Sequence, residues 1–461
     1  MTKLTKSAFK LALIWKKFKL CLLSLSLSLS LSLKHKGHSS QNQTEPPKLR
    51  SKVEIKTDKI SNLPSDVIEK ILLLLPIRDA VRTSVLSRKW RYKSATLPNL
   101  KFDSLSVSTV KQTTFANIVD QVLLLHIGPI CSFLLSRPDD FLANSDIERW
   151  ILHLSRNSIK EFTLENWKSH LYEMPLCFFS CQDMTHIDLY RCLLQPPSTF
   201  KGFRSLKSLC MENVTLAPDV FKNLIVCCPL LKTLRLLNCD GLRHLKMDAP
   251  KLELLEVEVD EGVFEMVNLQ NTLNLADVSI TLAINDDLRQ VPDSNLVQFF
   301  VHFPHIRRLT FGRNFLKYLA VRGLPGKLPQ PCLCLKFLSI SIRFKALKEI
   351  LAALCLLRSS PALQELEIFA HHEDRDVVGE VNSWLDDNQN CQFTELQRVK
   401  MISMSGGKHE LDFIRFLLLS SPVLERMTVK PASYNGYSEL LKKLLLFRRA
   451  SLCAEIIYLD P

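Results

Sequence analysis

Several clusters in this 461-residue chain have the residue types of catalytic or ligand-binding sites, and each fails on spacing. Gly406-Gly407-Lys408 has the glycines and the lysine of a phosphate cradle. Such a loop needs a glycine five residues before Gly407, where Ile402 stands, and a Ser or Thr after the lysine, where His409 stands. His371-His372-Glu373 has two zinc-ligand types and a general base. A helical zinc pair needs its second histidine four residues after the first, and that position is Arg375. Asp374, Asp376, Asp386 and Asp387 read as a solvated acidic loop rather than a cation site. The fourteen cysteines occur singly or in close pairs, such as Cys177 and Cys181, Cys227 and Cys228, or Cys332 and Cys334. No repeated CxxC spacing and no histidine pair makes a zinc site of them. Most lie in apolar runs, where a free thiol behaves as a small hydrophobe. Reduced thiols of this kind suit the cytoplasm or nucleus, the localisation expected here. There is no GxSxG, and the chain has only 12 glycines for the close backbone approaches of nucleotide loops. No catalytic residue, metal or cofactor is expected, and the chain is read as not being an enzyme.

The net charge of +13 points towards nucleic acid until it is located. Residues 1–56 hold twelve Lys or Arg against Glu45 and Glu54, so most of the excess sits in an N-terminal tail. A nucleic-acid reader would spread its basic residues over a folded face, so no nucleic-acid partner is expected. Within the tail, Leu22 to Leu33 is almost pure Leu-Ser alternation flanked by lysines. It is shorter and more polar than the roughly 20 apolar residues of a membrane span, and no small-x-small pattern closes it as a secretory signal. Translated low-complexity sequence (or a mis-set start) and a genuine targeting or membrane role both stay open, with a membrane partner not expected.

After Pro46-Pro47 the pattern becomes helical. Val67, Ile68, Ile71, Leu72 and Leu75 follow one helix face. Pro64 suits the first turn and Pro76 ends the helix. A second helix is expected from Arg78 to Ser87 and a third short element around Arg88, Lys89 and Trp90. Three such helices make a thin core, which needs a partner or a neighbouring domain.

The stretch ISNLPSDVIEKILLLLPIRDAVRTSVLSRKWR resembles the plant F-box. The resemblance rests on Leu63-Pro64, Ile71-Leu72, Leu75-Pro76, the run Ala80 to Ser87, and Trp90-Arg91. Many relatives have a second Trp after that last pair, where this chain reads Tyr92-Lys93-Ser94. The resemblance implies docking on a Skp-type adaptor and, through it, on a cullin scaffold. It makes Leu63, Pro64, Ile71, Leu72, Leu75, Pro76, Val85, Leu86 and Trp90 the candidate adaptor-facing or F-box-core residues.

Beyond the F-box, an L-x-x-L-x-L pattern recurs eleven times, starting at Ile159, Met184, Leu206, Leu231, Leu252, Leu275, Ile306, Leu335, Leu363, Leu396 and Leu424. The spacings run from 21 to 33 residues and mostly fit leucine-rich repeats of about 20–29. Each copy is expected to be a strand, returned to the next commonly by a helix. Pro229, Pro361 and Pro422 mark helix-to-strand turns. One repeat cannot bury both of its faces, so the copies must stack into a solenoid.

Asp146 to Trp167 is similar to the segment that follows the F-box in plant F-box proteins with leucine-rich repeats, and the stretch from Cys391 resembles the FBD domain that ends many of them. The fold class implied is α/β: a short N-terminal three-helix F-box, then an irregular leucine-rich-repeat α/β solenoid ending in an FBD domain. The organisation is a basic tail at 1–56, expected to be disordered, the F-box at 57–102, repeats at 103–390 and the FBD domain at 391–461. The function implied is substrate recognition in an SCF-type (Skp-cullin-F-box) ubiquitin ligase. The alternative is a repeat-based binding module that ubiquitinates nothing, tethered or not by residues 1–33. His186, Asp188, Arg235 and Arg307 fall at variable repeat positions, and none is assigned to the target, whose identity is unknown.

Overall fold

The computed structural model describes residues 63–103, 112–137, 142–240, 244–259, 266–270, 272–282, 305–320, 326–328, 330–372, 391–434 and 437–461. The basic tail 1–56 and the acidic run from Asp374 to Asp387 lie outside the described residues.

The first helix is Ser65–Leu73, entered through Pro64 in an extended conformation (φ −57°, ψ 150°). The Pro64 carbonyl accepts the Ile68 N–H at 3.1 Å. Pro76 bars continuation of that helix and starts the next, Ile77–Arg82, whose Asp79 and Ala80 N–H groups donate to its carbonyl at 2.9 Å. The second helix is shorter than its pattern suggests. From Thr83 to Val85 it tightens into a 3-10 turn, and the Thr83 hydroxyl donates to the Ala80 carbonyl at 2.7 Å. A hydroxyl that competes for helix carbonyls favours such an ending. The third element is a turn through Arg88–Tyr92 followed by a 3-10 turn, Lys93–Thr96, rather than an α-helix. Ile68, Leu72, Ile77, Ala80 and Trp90 form the buried interior of this module. They belong to the same apolar cluster as the repeat body, which completes a core that three short elements could not make alone.

One parallel sheet of fourteen strands follows. It begins with β1 (Asn99–Phe102), β2 (Ser132–Arg137) and β3 (Glu161–Asn166). It continues through β5 (His186–Tyr190), β7 (Ser208–Glu212), β8 (Thr233–Leu237), β10 (Leu254–Val259) and β12 (Asp277–Leu282). It ends with β13 (Arg308–Phe311), β14 (Phe337–Ile342), β15 (Glu365–Ala370), β16 (Arg398–Met404), β17 (Arg426–Pro431) and β18 (Glu455–Tyr458). The short strands β4 (Tyr172–Glu173) and β6 (Cys192–Leu193) pair with each other, as do β9 (His244–Asp248) and β11 (Met266–Gln270).

All eleven expected copies fall on strands of this sheet, each strand starting two residues into its copy. The pairing register aligns the apolar positions into columns: Leu209 beside Leu234, Leu234 beside Leu255, Leu255 beside Val278. All four are buried, each stabilising the stack by about 1.5–3 kcal/mol. Three further strands, β1, β2 and β18, lie on copies outside the eleven: Leu97-x-x-Leu100-x-Phe102, Ile130-x-x-Phe133-x-Leu135 and Cys453-x-x-Ile456-x-Tyr458. The first two use Phe in the slot as the copies at Ile159 and Ile306 do, and the last begins with cysteine and ends in tyrosine. In the first repeats a row of rings runs through the interior, with Phe102–Phe133, Phe133–Phe162 and Phe162–Phe178 centroids 5.6, 6.1 and 5.3 Å apart.

The returns differ from the helix expected. Long repeats return through helices such as Leu347–Arg358, Lys408–Ser420 and Tyr437–Leu445. The returns from β5, β8 and β10, where copies lie 21 to 23 residues apart, carry the short strands β6, β9 and β11 instead. Too few residues remain there for a helix and its two turns. Arg191, Asn213 and Asn238 each follow a strand with φ between 51° and 54°. Their N–H groups donate to the next strand's Glu212, Leu237 and Glu258 carbonyls at 2.7–2.9 Å. Asparagine tolerates this left-handed turn better than most residues.

Candidate functional site

The structure separates the nine candidate residues by burial. Leu72 and Trp90 are inside, at 1% and 0% exposure, and shape the module from within. Leu63, Ile71, Leu75 and Leu86 are half-buried and pack against the core. Pro64 is exposed and Pro76 half-buried. Val85, on the 3-10 turn, is 83% exposed. Lys89 Nζ donates to the Leu63 carbonyl, and Lys93 pairs with Glu69 at 2.8 Å, tying the end of the module to its first helix.

Four further apolar side chains, Leu73, Leu74, Val81 and Tyr92, lie exposed on the same module. The signal for two of them stands in the sequence. Leu72 to Leu75 is a run of four leucines, and a helix with one buried face cannot cover all of them.

Across the repeat body the residues between the inward columns form the sheet's outer face. His186, Asp188 and Arg235 stand on it, all exposed. Arg307 lies just ahead of β13, and Arg308 takes the face position, 3.6 Å from Asp277 with its guanidinium 4.0 Å from the Phe337 ring centre. Ion pairs cross the strands at Arg235–Glu256 (3.1 Å), Lys400–Glu367 (2.6 Å) and Arg398–Glu365.

The clusters of catalytic residue type have structural roles. The Ser405 and Gly406 N–H groups both donate to Glu410 Oε2 at 2.8 Å, so the chain's own buried carboxylate occupies the loop around Gly406-Gly407-Lys408. Gly407 precedes the helix Lys408–Ser420 as its cap. His372 Nε2 lies 3.0 Å from the Ser403 carbonyl and 3.5 Å from Glu410. Among the described residues no three His, Cys, Asp or Glu side chains are grouped to hold a metal. Burial raises the Cys181, Cys192, Cys210 and Cys239 thiols to about 12, away from the thiolate that nucleophilic chemistry needs. No helix among the described residues is long and apolar enough to cross a membrane.

A short helical module with apolar residues on its surface, continuous with a parallel-strand repeat sheet, defines an F-box protein with a leucine-rich-repeat body. The F-box domain model matches residues 60–102, and the At1g61320/AtMIF1 LRR domain model matches residues 132–443. The Arabidopsis thaliana F-box/FBD/LRR-repeat protein At1g13570 is 38% identical over 416 residues, covering 87% of this chain and 99% of the relative. The F-box/LRR-repeat protein At5g02910 from the same plant is 28% identical over 440 residues, covering 83% of this chain and 91% of its own. The chain belongs to the F-box/FBD/LRR-repeat family of plant proteins.

Proposed function

We propose that this chain is the substrate-recognition subunit of an SCF-type ubiquitin ligase. Its F-box, residues 57–102, holds a Skp-type adaptor and through it a cullin scaffold. Its repeats, 103–390, hold a target protein. The observation that carries the reading is the exposed apolar surface of the F-box, with Val85 at 83% exposure and Leu73, Leu74 and Val81 exposed on the same module. Such a surface needs a partner to cover it. Of the nine candidates, Leu63, Pro64, Ile71, Leu75, Pro76, Val85 and Leu86 supply adaptor contacts, while Leu72 and Trp90 hold the module in shape.

The chain contributes no catalytic side chain in this role. It brings lysines of a bound target near the ubiquitin-loaded enzyme, and the rate gain is one of proximity. Free thiols, most of them buried or half-buried, favour the cytoplasm or nucleus as its compartment. No cofactor, nucleic acid or membrane takes part.

The test is a pull-down of a purified Skp-type adaptor by the full chain and by the Leu63→Ala/Pro64→Ala double variant. Wild-type binding that the variant loses is the expected result. No binding by the wild-type chain sinks the adaptor reading. In cells, a target that fails to accumulate when the proteasome is blocked points to the binding module that ubiquitinates nothing.

A further inference from the structure

The outer face of the sheet is unevenly neutralised. In its C-terminal half the acidic residues meet a basic partner on the next strand: Asp277 meets Arg308, Glu365 meets Arg398, Glu367 meets Lys400 and Glu455 meets Arg426. Towards the N-terminal end the arrangement changes. Glu165 on β3, Asp188 on β5 and Glu212 on β7 lie on three adjacent strands of the same face. None of the three is in a salt bridge among the described residues. The nearby guanidinium, Arg235, is paired with Glu256 at 3.1 Å.

The three carboxylates act on one another. Glu212 is raised above the usual carboxylate range first by burial, then by the charges of Asp188 and Glu165. Asp188, though its side chain reaches solvent, is raised too, mainly by desolvation from its neighbours and then by Glu165, against a hydrogen bond with the Cys210 side chain and the attraction of Arg235. Burial and like charge thus act together on these carboxylates, and the one cation near Asp188, Arg235, is already paired with Glu256.

An aromatic pair flanks the carboxylates. Trp167 is 46% exposed, and its ring centre lies 4.7 Å from that of Tyr190 at an interplanar angle of 42°. The indole N–H donates to Glu165 Oε2 at 3.2 Å, and the Ser136 hydroxyl donates to the same oxygen, so this carboxylate is held in place. An exposed indole beside fixed carboxylates is a surface for a guanidinium or ammonium, which the ring face and the negative charge both attract. A nucleic acid, itself an anion, would be repelled. Among the described residues there is no set of metal-ligating side chains.

We propose that the outer sheet face across β3, β5 and β7, built from Glu165, Asp188, Glu212, Trp167 and Tyr190, is the docking site for an arginine- or lysine-bearing segment of the target protein. This deepens the substrate-receptor reading by naming the chemistry of the segment received. A basic side chain inserted here satisfies three like charges at once, and its stem lies on the Trp167 ring. The paired half of the face offers no such gain, because a newcomer there must first displace an internal cation.

The test uses the full chain without adaptor, so its result is independent of whether the F-box binds. The probe is a fluorescein-labelled octapeptide alternating Arg and Ser, with a control peptide carrying neutral citrulline at each Arg. Fluorescence anisotropy is read at rising salt. The expected result is binding of the Arg peptide that weakens with salt, at least tenfold weaker binding of the citrulline peptide, and a similar loss for the Asp188→Asn/Glu212→Gln double variant. The variant keeps its thermal midpoint, because neutralising the two acids removes their repulsion while an amide oxygen at position 188 can still accept from the Cys210 thiol. Glu365→Gln/Glu367→Gln, in the paired half, binds as wild type. Equal affinity for both peptides, wild-type affinity in the Asp188/Glu212 variant, or an equal loss in both double variants overturns the proposal. Peptide binding in a chain that fails to hold the adaptor would leave this site standing and sink the ligase reading alone.

Discussion

Val85→Asp separates the adaptor surface from the F-box core. In the free chain Val85 is 83% exposed, so its side chain contributes little to folding. A surface change of this sort shifts stability by no more than about 0.5 kcal/mol. At an adaptor interface the same side chain is buried, which is worth about 1.5–3 kcal/mol, and aspartate forfeits that gain while bringing a carboxylate to be desolvated. Since about 1.4 kcal/mol is a factor of ten, the dissociation constant should rise at least about tenfold, and beyond a hundredfold if the interface is dry. Leu72→Ala is the counter-case. Leu72 is 1% exposed, and truncation should cost about 2–5 kcal/mol of stability through the cavity it leaves. Calorimetric titration of each full-length variant with purified adaptor, beside a thermal melt, reads both quantities. The assignment is wrong if Val85→Asp binds as tightly as wild type, or if its melt falls as far as that of Leu72→Ala.

Three other outcomes follow from the geometry. Glu410→Gln should destabilise the C-terminal repeats by about 1–3 kcal/mol, because the Ser405 hydroxyl donates to one carboxylate oxygen and the Ser405 and Gly406 N–H groups to the other, and a neutral amide offers one oxygen and loses the charge that strengthens these bonds; urea denaturation measures it. Gly202→Ala should lower the melting temperature well beyond a surface mutation, since Gly202 has φ +84° and a Cβ there would lie 2.1 Å from Cys227 Cβ. Stability should fall as pH rises above about 9, with the loss continuing towards 12. Burial raises Cys192, Cys210 and Cys239 from 9.0 to about 12 in the folded chain, so the unfolded chain releases these protons first. Under the same conditions the exposed Cys453 should be alkylated ahead of them, and stability that is flat in pH from 8 to 11 would refute the burial argument.

How much of this was legible in the sequence depends on which way a side chain points. Inward positions repeat because every repeat presents the same slot to its neighbour, and this is why eleven strands could be placed from Leu, Ile, Val, Met and Phe alone. The strands of Phe102, Phe133 and Tyr458 lie at the two ends of the array, ahead of the first copy read and after the last, and went unread until the register aligned them with their neighbours. The buried glutamates escaped as well. Glu349 accepts the Arg343 N–H at 2.9 Å and Glu410 accepts two more, both near the start of a return helix, but a glutamate at that place in a sequence looks like any solvated one. In the F-box, helical periodicity marked the face but not its depth. Leu72 and Leu73 are neighbours in sequence, yet one is 1% and the other 46% exposed.

Outward positions obey a different constraint, and that difference locates function on this chain. A residue on the outer sheet face is free of the stacking slot, so its type follows from what it meets across the strands or from what arrives from outside. Where Arg398 meets Glu365 and Lys400 meets Glu367, neighbouring strands account for the residue types completely. Where Asp188 and Glu212 lie diagonally across β5 and β7 beside an exposed Trp167, Asp188 has only the Cys210 side chain and the distant pull of Arg235, Glu212 has no ion pair among the described residues, and their repulsion opposes folding rather than helping it. Val85 presents the same imbalance in apolar form, a large side chain that stability would not place in water. Both features are costs to the isolated molecule, and each would be removed by a partner of defined chemistry: an apolar groove over the F-box, and a basic side chain over the sheet.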